Sequence, residues 1–221
     1  MTAHEFRLDY FKFYDVENRD AQADLLLRGQ FDRRFQKMQL RLLEFFGNAV
    51  SKNDEPLYDR NAHLAWYVGV QPTEPLRRVI VENQFGEFDI RTGRGFGLLV
   101  PTQKVERGSQ FPEQLDHYKV YRLADVERAP EKALNLRDQF GRDEVRLRLP
   151  LYFAVPVVKR HGKKTYFVRN DRAHLLIFSM TSRELQKNVR LRNQFANGIG
   201  VRVVRSLMLA VPSLKRDWKQ L

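Results

Sequence analysis

The sequence predicts an all-β protein built from four tandem copies of one unit. Three observations carry this. A Gln-Phe pair recurs at Gln30-Phe31, Gln84-Phe85, Gln139-Phe140 and Gln194-Phe195, with an almost constant step from each to the next. Apolar and polar residues alternate around each pair with the period of a half-buried strand. No long stretch carries the 3.6-residue apolar period of a helix. A recurrence this regular, with a period of about 55 residues, reads as one supersecondary unit copied in tandem.

Two further landmarks keep the register. Upstream of each Gln-Phe, at a similar distance each time, lies an aromatic segment: Tyr10 to Tyr14, His63 to Tyr67, His117 to Tyr121 and His174 to Phe178. Downstream of it, again at a similar distance, comes an apolar run ending in Pro and Lys: Pro101 with Lys104, Pro156 with Lys159, and Pro212 with Lys215. The first copy has only Phe46-Gly47-Asn48-Ala49 with Lys52.

The strands follow in order. In the first copy Leu25-Leu26-Leu27 precedes Gln30-Phe31, and Met38 to Leu42 follows. In the second, Val79-Ile80-Val81 leads to Gln84-Phe85-Gly86 and then to Phe88 to Arg91. In the third, Leu134 to Asp138 runs into Gln139-Phe140-Gly141, and Val145 to Leu149 alternates strictly; Gly141 marks the turn of a hairpin. Pro150 is expected to interrupt, and Pro156 to stop the next strand or place it on an edge, since proline has no amide to donate. In the fourth, Val189 to Arg192 precedes Gln194-Phe195, and Val201 to Val203 leads to Leu207 to Leu209. The polar passage Asp15 to Asp24 and the Pro-containing passage Asp125 to Ala133 are expected as loops or single helical turns. Polar segments 53–61, 105–116 and 160–172 read as surface connections. The copies are expected to pair into two sandwich or barrel-like units; four propeller blades are the alternative.

The chain has 221 residues and a net charge of +12. Residues 1–116 hold 16 Lys/Arg against 18 Asp/Glu, whereas residues 117–221 hold 23 against 9. This contrast places the expected boundary near residue 112: a near-neutral unit over 1–112 and a strongly basic one over 113–221. There is no cysteine, which excludes disulfides, thiolate metal sites and a cysteine nucleophile, and fits a reducing compartment. Residues 1–7 do not read as a signal peptide, and no apolar run is long enough for a membrane span. A soluble, cytoplasmic protein is expected.

The repeat resembles a family of uncharacterised bacterial proteins built from tandem units reading His-Tyr-Lys-Cys-Tyr, Asn-Gln-Phe-Gly and Leu-Cys-x-Pro-x-x-Lys. Here the first element is His117-Tyr118-Lys119-Val120-Tyr121. The second is Asn83-Gln84-Phe85-Gly86, and Asp138-Gln139-Phe140-Gly141 with Asp for Asn. The third is Leu98 to Lys104. Val120 and Ala154 stand where the family pattern has cysteine. The resemblance implies the repeat fold and no particular activity.

No catalytic residue, metal site or cofactor is expected. His63, His117 and His174 share one repeat position with Tyr10, which points to packing or local hydrogen bonding rather than catalysis. Gly93 to Gly97 lacks the following helix and the lysine of a phosphate loop, and reads as a glycine-softened strand or bulge. In each Gln-Phe pair, Phe is expected in the core and Gln on a neighbouring backbone. The remaining signal is cationic. Arg146, Arg148, Arg190, Arg192, Arg202 and Arg205 lie at or near alternate strand positions, opposite Leu147, Leu149, Leu191 and Val203, which should point inward. With Arg160, Lys163, Lys164, Lys215 and Arg216 they form the expected anion-binding set. The expected function is a non-catalytic binding module whose basic half engages an anionic macromolecule, nucleic acid first. The alternative is a structural or assembly subunit that docks an acidic protein in a larger complex.

Overall fold

The computed structural model of the chain describes residues 7–125 and 132–221. These form twelve strands: β1 (Tyr10–Gly29), β2 (Gln36–Lys52), β3 (His63–Val70), β4 (Arg77–Asn83), β5 (Gly86–Pro101), β6 (Gln103–Lys104), β7 (Tyr118–Asp125), β8 (Lys132–Asp138), β9 (Gly141–His161), β10 (Lys164–Tyr166), β11 (His174–Asn193) and β12 (Ala196–Gln220). No helix occurs among the described residues.

Each copy contributes a lead strand (10–16, 63–70, 118–125, 174–180), a middle strand, and a long return strand (β2, β5, β9 or β12). Lead and middle strands are one bulged element in β1 and β11, and separate in the other copies. Every lead strand pairs antiparallel with its own return strand, as Tyr10↔Val50, Leu64↔Pro101, Tyr118↔Pro156 and Leu175↔Pro212 show. Its other edge pairs with the return strand of the preceding copy: Ala65↔Phe46, Tyr118↔Leu99, Leu176↔Phe153 and, closing the circle, Phe11↔Ala210. The order β1-β2-β3-β5-β7-β9-β11-β12-β1 is therefore a closed ring of eight strands.

Alternation then decides which side chains face inward. One core cluster draws on every strand of the ring: Phe11 and Phe13, Leu64 and Trp66, Tyr118 and Val120, Leu175 and Ile177 from the lead strands, with Phe45, Leu99, Ala154 and Ala210 from the return strands. This is the filled interior. Trp66 is fully buried there, with the rings of Phe13, Phe45 and Tyr152 at 5.5, 5.0 and 4.9 Å. Beside it the backbones approach closely enough to require glycine: a Cβ on Gly97 would lie 2.4 Å from the Tyr67 carbonyl oxygen.

The outer face of the ring is covered by four hairpins, each made of a middle strand and the first part of a return strand. Val79, Val81, Leu134, Leu136, Val145 and Leu147 seal one side. Leu25, Leu27, Met38, Leu40, Val189, Leu191, Val201 and Val203 seal the other. The free edge of each middle strand pairs with the return-strand end of the copy two places away: Leu27↔Lys159, Leu136↔Lys52, Leu191↔Lys104 and Glu82↔Leu214.

Several expectations change. The copies do not form two paired units or separate blades; all belong to one sheet. Residue 112 falls between β6 and β7, and strands on either side of it bond to one another, β5 to β7, β2 to β8 and β1 to β9. The passage 15–24 is a bulged strand: register shifts after Asp15 and Asp20 absorb its polar residues while Arg19 and Asp20 still pair with Leu43 and Leu42. Segment 160–172 contains the end of β9 and the short hairpin partner β10. The passage 125–133 lies mostly outside the described residues. Pro150, Pro156 and Pro212 lie inside their strands and Pro101 ends β5, and the last three share a geometric setting. Pro101, Pro156 and Pro212 each sit where the return strand has left one outer neighbour and not yet met the next. The pairing of β9 with β11 ends at Ala154, and that with β1 begins at Val157. A residue without an amide loses no ladder bond there.

Because the interior is close-packed, Trp66→Ala should cost about 3–5 kcal/mol, and Gly97→Ala roughly 1–3 kcal/mol through overpacking, both measured by urea unfolding. Values within about 0.5 kcal/mol of the parent, the range of surface substitutions, would contradict the ring interior described here.

Candidate functional site

The landmarks that looked separate in sequence meet in space, and they meet between neighbouring copies. The Gln-Phe turns are built first. The side-chain oxygens of Asn83, Asp138 and Asn193 accept the amides of Phe85, Phe140 and Phe195 at 2.8–2.9 Å. This is the Asx turn that short polar side chains favour. Gly86 and Gly141 follow with φ of 125° and 135°, a region open to glycine.

Each turn then reaches the copy before it. Phe140 packs its ring 5.4 Å from the Lys104 ammonium, Phe195 lies 5.4 Å from that of Lys159, and Phe31 lies 5.6 Å from that of Lys215. Gln194 Nε2 is 3.2 Å from His117 Nε2, and His174 Nε2 is 3.3 Å from Gln30 Oε1. In the first site Gln84 bonds Tyr10, whose ring lies 5.4 Å from Lys52. One site therefore recurs four times. A His or Tyr and the repeat lysine come from one copy, and Gln-Phe from the next, with the first copy completing the fourth. Phe31 is buried in the core as expected, whereas Phe85, Phe140 and Phe195 are half-buried and pack against its edge. Gln139 and Gln30 do reach backbone carbonyls, of Arg60 and Asp171. Sequence reasoning missed the bonds from Gln to the ring nitrogens of the preceding copy.

The four sites differ in charge. Lys52 is paired with Glu55, and Lys104 with Glu106 at 2.9 Å. Lys215 is half-buried with Asp217 two residues on, whose charge partly offsets the loss of solvent. Lys159 is fully buried, and the residues following it are Arg160, His161 and Gly162. Among the described residues no carboxylate pairs with it. Its Nζ lies 2.6 Å from His117 Nε2 and 4.0 Å from the centre of the Tyr166 ring. Burial pushes this amine down to about 6. Burial and the neighbouring Lys159 charge hold His117 well below the ordinary imidazole value. Burial brings His63 to about 3 and His174 to about 4.

A pocket of about 700 Å³ opens over the third site. Its walls include His117, Gln194, Tyr166, Phe111, Lys164 and Arg169. Asp116 also lines it, but its carboxylate is taken up by the backbone amides of Arg169 and Asn170, both at 2.9 Å. A second groove of about 910 Å³ lies beside the first hairpin turn, lined by Arg33, Arg34, Trp218 and Lys219 among others. Beneath it Lys119 and Arg77 face Glu74 at 2.8 and 3.1 Å. Lys12 and Asp143 form a buried ion pair at the corresponding level of the first lead strand.

The eleven cations of the expected anion-binding set occupy several places. Arg146 and Arg148 face water on the third hairpin, and Arg190, Arg192, Arg202 and Arg205 on the fourth; Arg160, Lys163 and Lys164 surround the β9–β10 turn. Leu147, Leu191 and Val203 point inward as read, but Leu149 is 40 % exposed. The register shift before Pro150, where β9 re-pairs with β11, reverses its face. Arg202 and Arg205 lie 3.4 Å from Glu17 and Asp15, and Arg216 pairs with Glu82. Arg160 stacks on Phe35, 4.0 Å from its centre. Lys215 is drawn into the fourth repeat site. Arg146, Arg148, Arg192, Lys163 and Lys164 have no carboxylate partner among the described residues. The Gly93 to Gly97 segment lies within β5 at consecutive register shifts, as a softened strand.

A repeat family of unknown function (DUF7450) matches residues 63–212, more than half of the chain, and the protein belongs to that family. No curated protein and no solved structure matches the chain.

The buried histidines set a pH dependence. Their folded pKa values lie below the unfolded value of about 6.5, so the unfolded chain binds more protons in acid. Their contribution is complete above about pH 6.5 and is lost as pH falls towards the folded values, by about 1.4 kcal/mol per pH unit for each ring. Urea unfolding at about pH 7, 6 and 5 should show this loss, and His63→Gln should make it shallower; an unchanged slope in the variant would count against a buried neutral His63.

Proposed function

We propose that the protein is a non-catalytic binding module that engages an anionic macromolecule through its basic C-terminal half, with nucleic acid as the leading partner. The observation that carries this reading is the set of solvent-facing cations on the third and fourth hairpins that form no ion pair among the described residues, above all Arg146, Arg148 and Arg192. A hairpin whose inner side chains are locked in a core presents its outer arginines at strand spacing. A polyanion neutralises such a surface without requiring a fitted cleft. The contrast between sites supports it as well. The near-neutral half supplies carboxylates to its own repeat lysines, Glu55 and Glu106, whereas the third site has none. A nucleic-acid partner also fits a cytoplasmic location, which suits a chain without cysteine. In the second reading, an assembly subunit, the same surface docks an acidic protein.

Fluorescence anisotropy with labelled single-stranded and duplex oligonucleotides over a salt series tests this. Binding should weaken by about a thousandfold between about 50 and about 200 mM salt if some six phosphates are neutralised. Arg146→Gln and Arg148→Gln should each lower the slope of log affinity against log salt by about 1. No binding at the lowest salt would remove the nucleic-acid reading.

A further inference from the structure

We propose that the pocket over His117 is a binding site for a carboxylate ligand, whose acid group supplies the negative charge that this copy lacks. The site is separate from the hairpin faces assigned to the polyanion.

The argument rests on the four quasi-equivalent sites. In three of them the chain places a carboxylate two or three residues after the repeat lysine: Glu55 after Lys52, Glu106 after Lys104, Asp217 after Lys215. Glu55 and Glu106 bond directly to their lysines. These two copies show what the site takes when it is filled from within. In the third copy the position of Glu106 belongs to His161, whose ring lies 5.2 Å from Phe195, the same phenylalanine that packs on Lys159. Here too is the 700 Å³ pocket.

His117 and Gln194 line that pocket, and the buried Lys159 lies behind His117. Lys159 Nζ and Gln194 Nε2 both converge on His117 Nε2, at 2.6 and 3.2 Å, and the buried Gln194 Oε1 has no partner among the described residues. Two nitrogen donors share a single ring lone pair. A carboxylate oxygen can accept the second Nε2 hydrogen of Gln194, and it places its charge one residue from Lys159, across His117. Lys164 and Arg169 stand at the rim on the same side of the balance, against Glu113 and the already occupied Asp116. Phe111, Tyr166 and Phe167 line the rest of the wall, Phe167 being 75 % exposed. A flat apolar body bearing one acid group suits that combination.

The groups facing Lys159 are His117 just before β7, His161 on its own strand and Tyr166 from β10. No carboxylate is among them, so an arriving carboxylate favours the charged ammonium and binding should draw a proton from solution.

Isothermal titration of the full chain with benzoate, in two buffers of different ionisation enthalpy at about pH 7, reads both affinity and proton uptake. Saturable binding with net uptake is expected. Lys159→Met should weaken it by about tenfold or more, the worth of one charge-assisted contact, and Lys104→Met should leave it unchanged. His161→Glu is the decisive variant, because it installs the internal acid of the second site: it should fold and exclude benzoate. A glutamate-rich peptide as a second titrant separates the sources. Competition by the peptide identifies a protein side chain as the natural acid, and binding of benzoate alone identifies a free small acid. Absence of saturation by both titrants overturns the proposal. So does binding without proton uptake, binding that survives in His161→Glu, or inorganic phosphate binding more tightly than benzoate through the same residues. Failure of oligonucleotide binding would leave this result untouched, since that assay reads the hairpin faces.

Discussion

Ring closure between β1 and β12 is the constraint on which the rest of the molecule depends. A sheet of lead and return strands would otherwise expose two edges of unpaired backbone, and would leave its aromatic inner face open. Pairing Phe11 with Ala210 removes both edges at once and turns the alternating residues of eight strands into a filled interior around Trp66. It also makes every copy a neighbour of two others. The first copy has no free end at which it differs from the third, because the fourth copy serves as its predecessor.

That circularity explains why the sites fall between copies. A turn at the tip of one hairpin reaches the lysine at the end of the preceding return strand, and the ring ensures that each turn has such a neighbour. Gln30-Phe31 meets His174 and Lys215 across almost the whole length of the chain. Burying a lysine is unfavourable unless something offsets its charge. The copies offset it differently: Glu55 and Glu106 by ion pairs, Asp217 by a nearby charge, and His117 with Tyr166 by a lone pair and a ring face. Repetition supplies the scaffold, and divergence at one position after the lysine makes the third site chemically distinct.

Much of this was legible in the chain. The regular repeat, the strand alternation and the Asn-Gln-Phe-Gly turns follow from local rules, since an Asx turn and a period of two need only neighbouring residues. The outward arginines at 146, 148, 190 and 192 follow from the same alternation. Leu149 went astray because a register shift before Pro150 depends on where β11 lies, which no local pattern encodes. The bulged course of residues 15–24 was unreadable for a similar reason: its polar composition resembles a loop, and only pairing with β2 makes it a strand. The prolines misled because proline was judged as a strand breaker, whereas in the ring it occupies the gap between two successive partners.

By itself the sequence determined the repeat, the all-β class, the turn chemistry and the uneven charge, all properties of short segments or of composition. The tertiary structure alone decided that four copies close into one ring rather than two units. It also decided that His117 and Gln194 line one pocket with Lys159 buried behind them. Both depend on contacts between residues far apart in the chain, and in a repeated sequence every copy offers the same local pattern to every other. The choice among those pairings is made by the arrangement that closes the ring and buries both faces of its sheet.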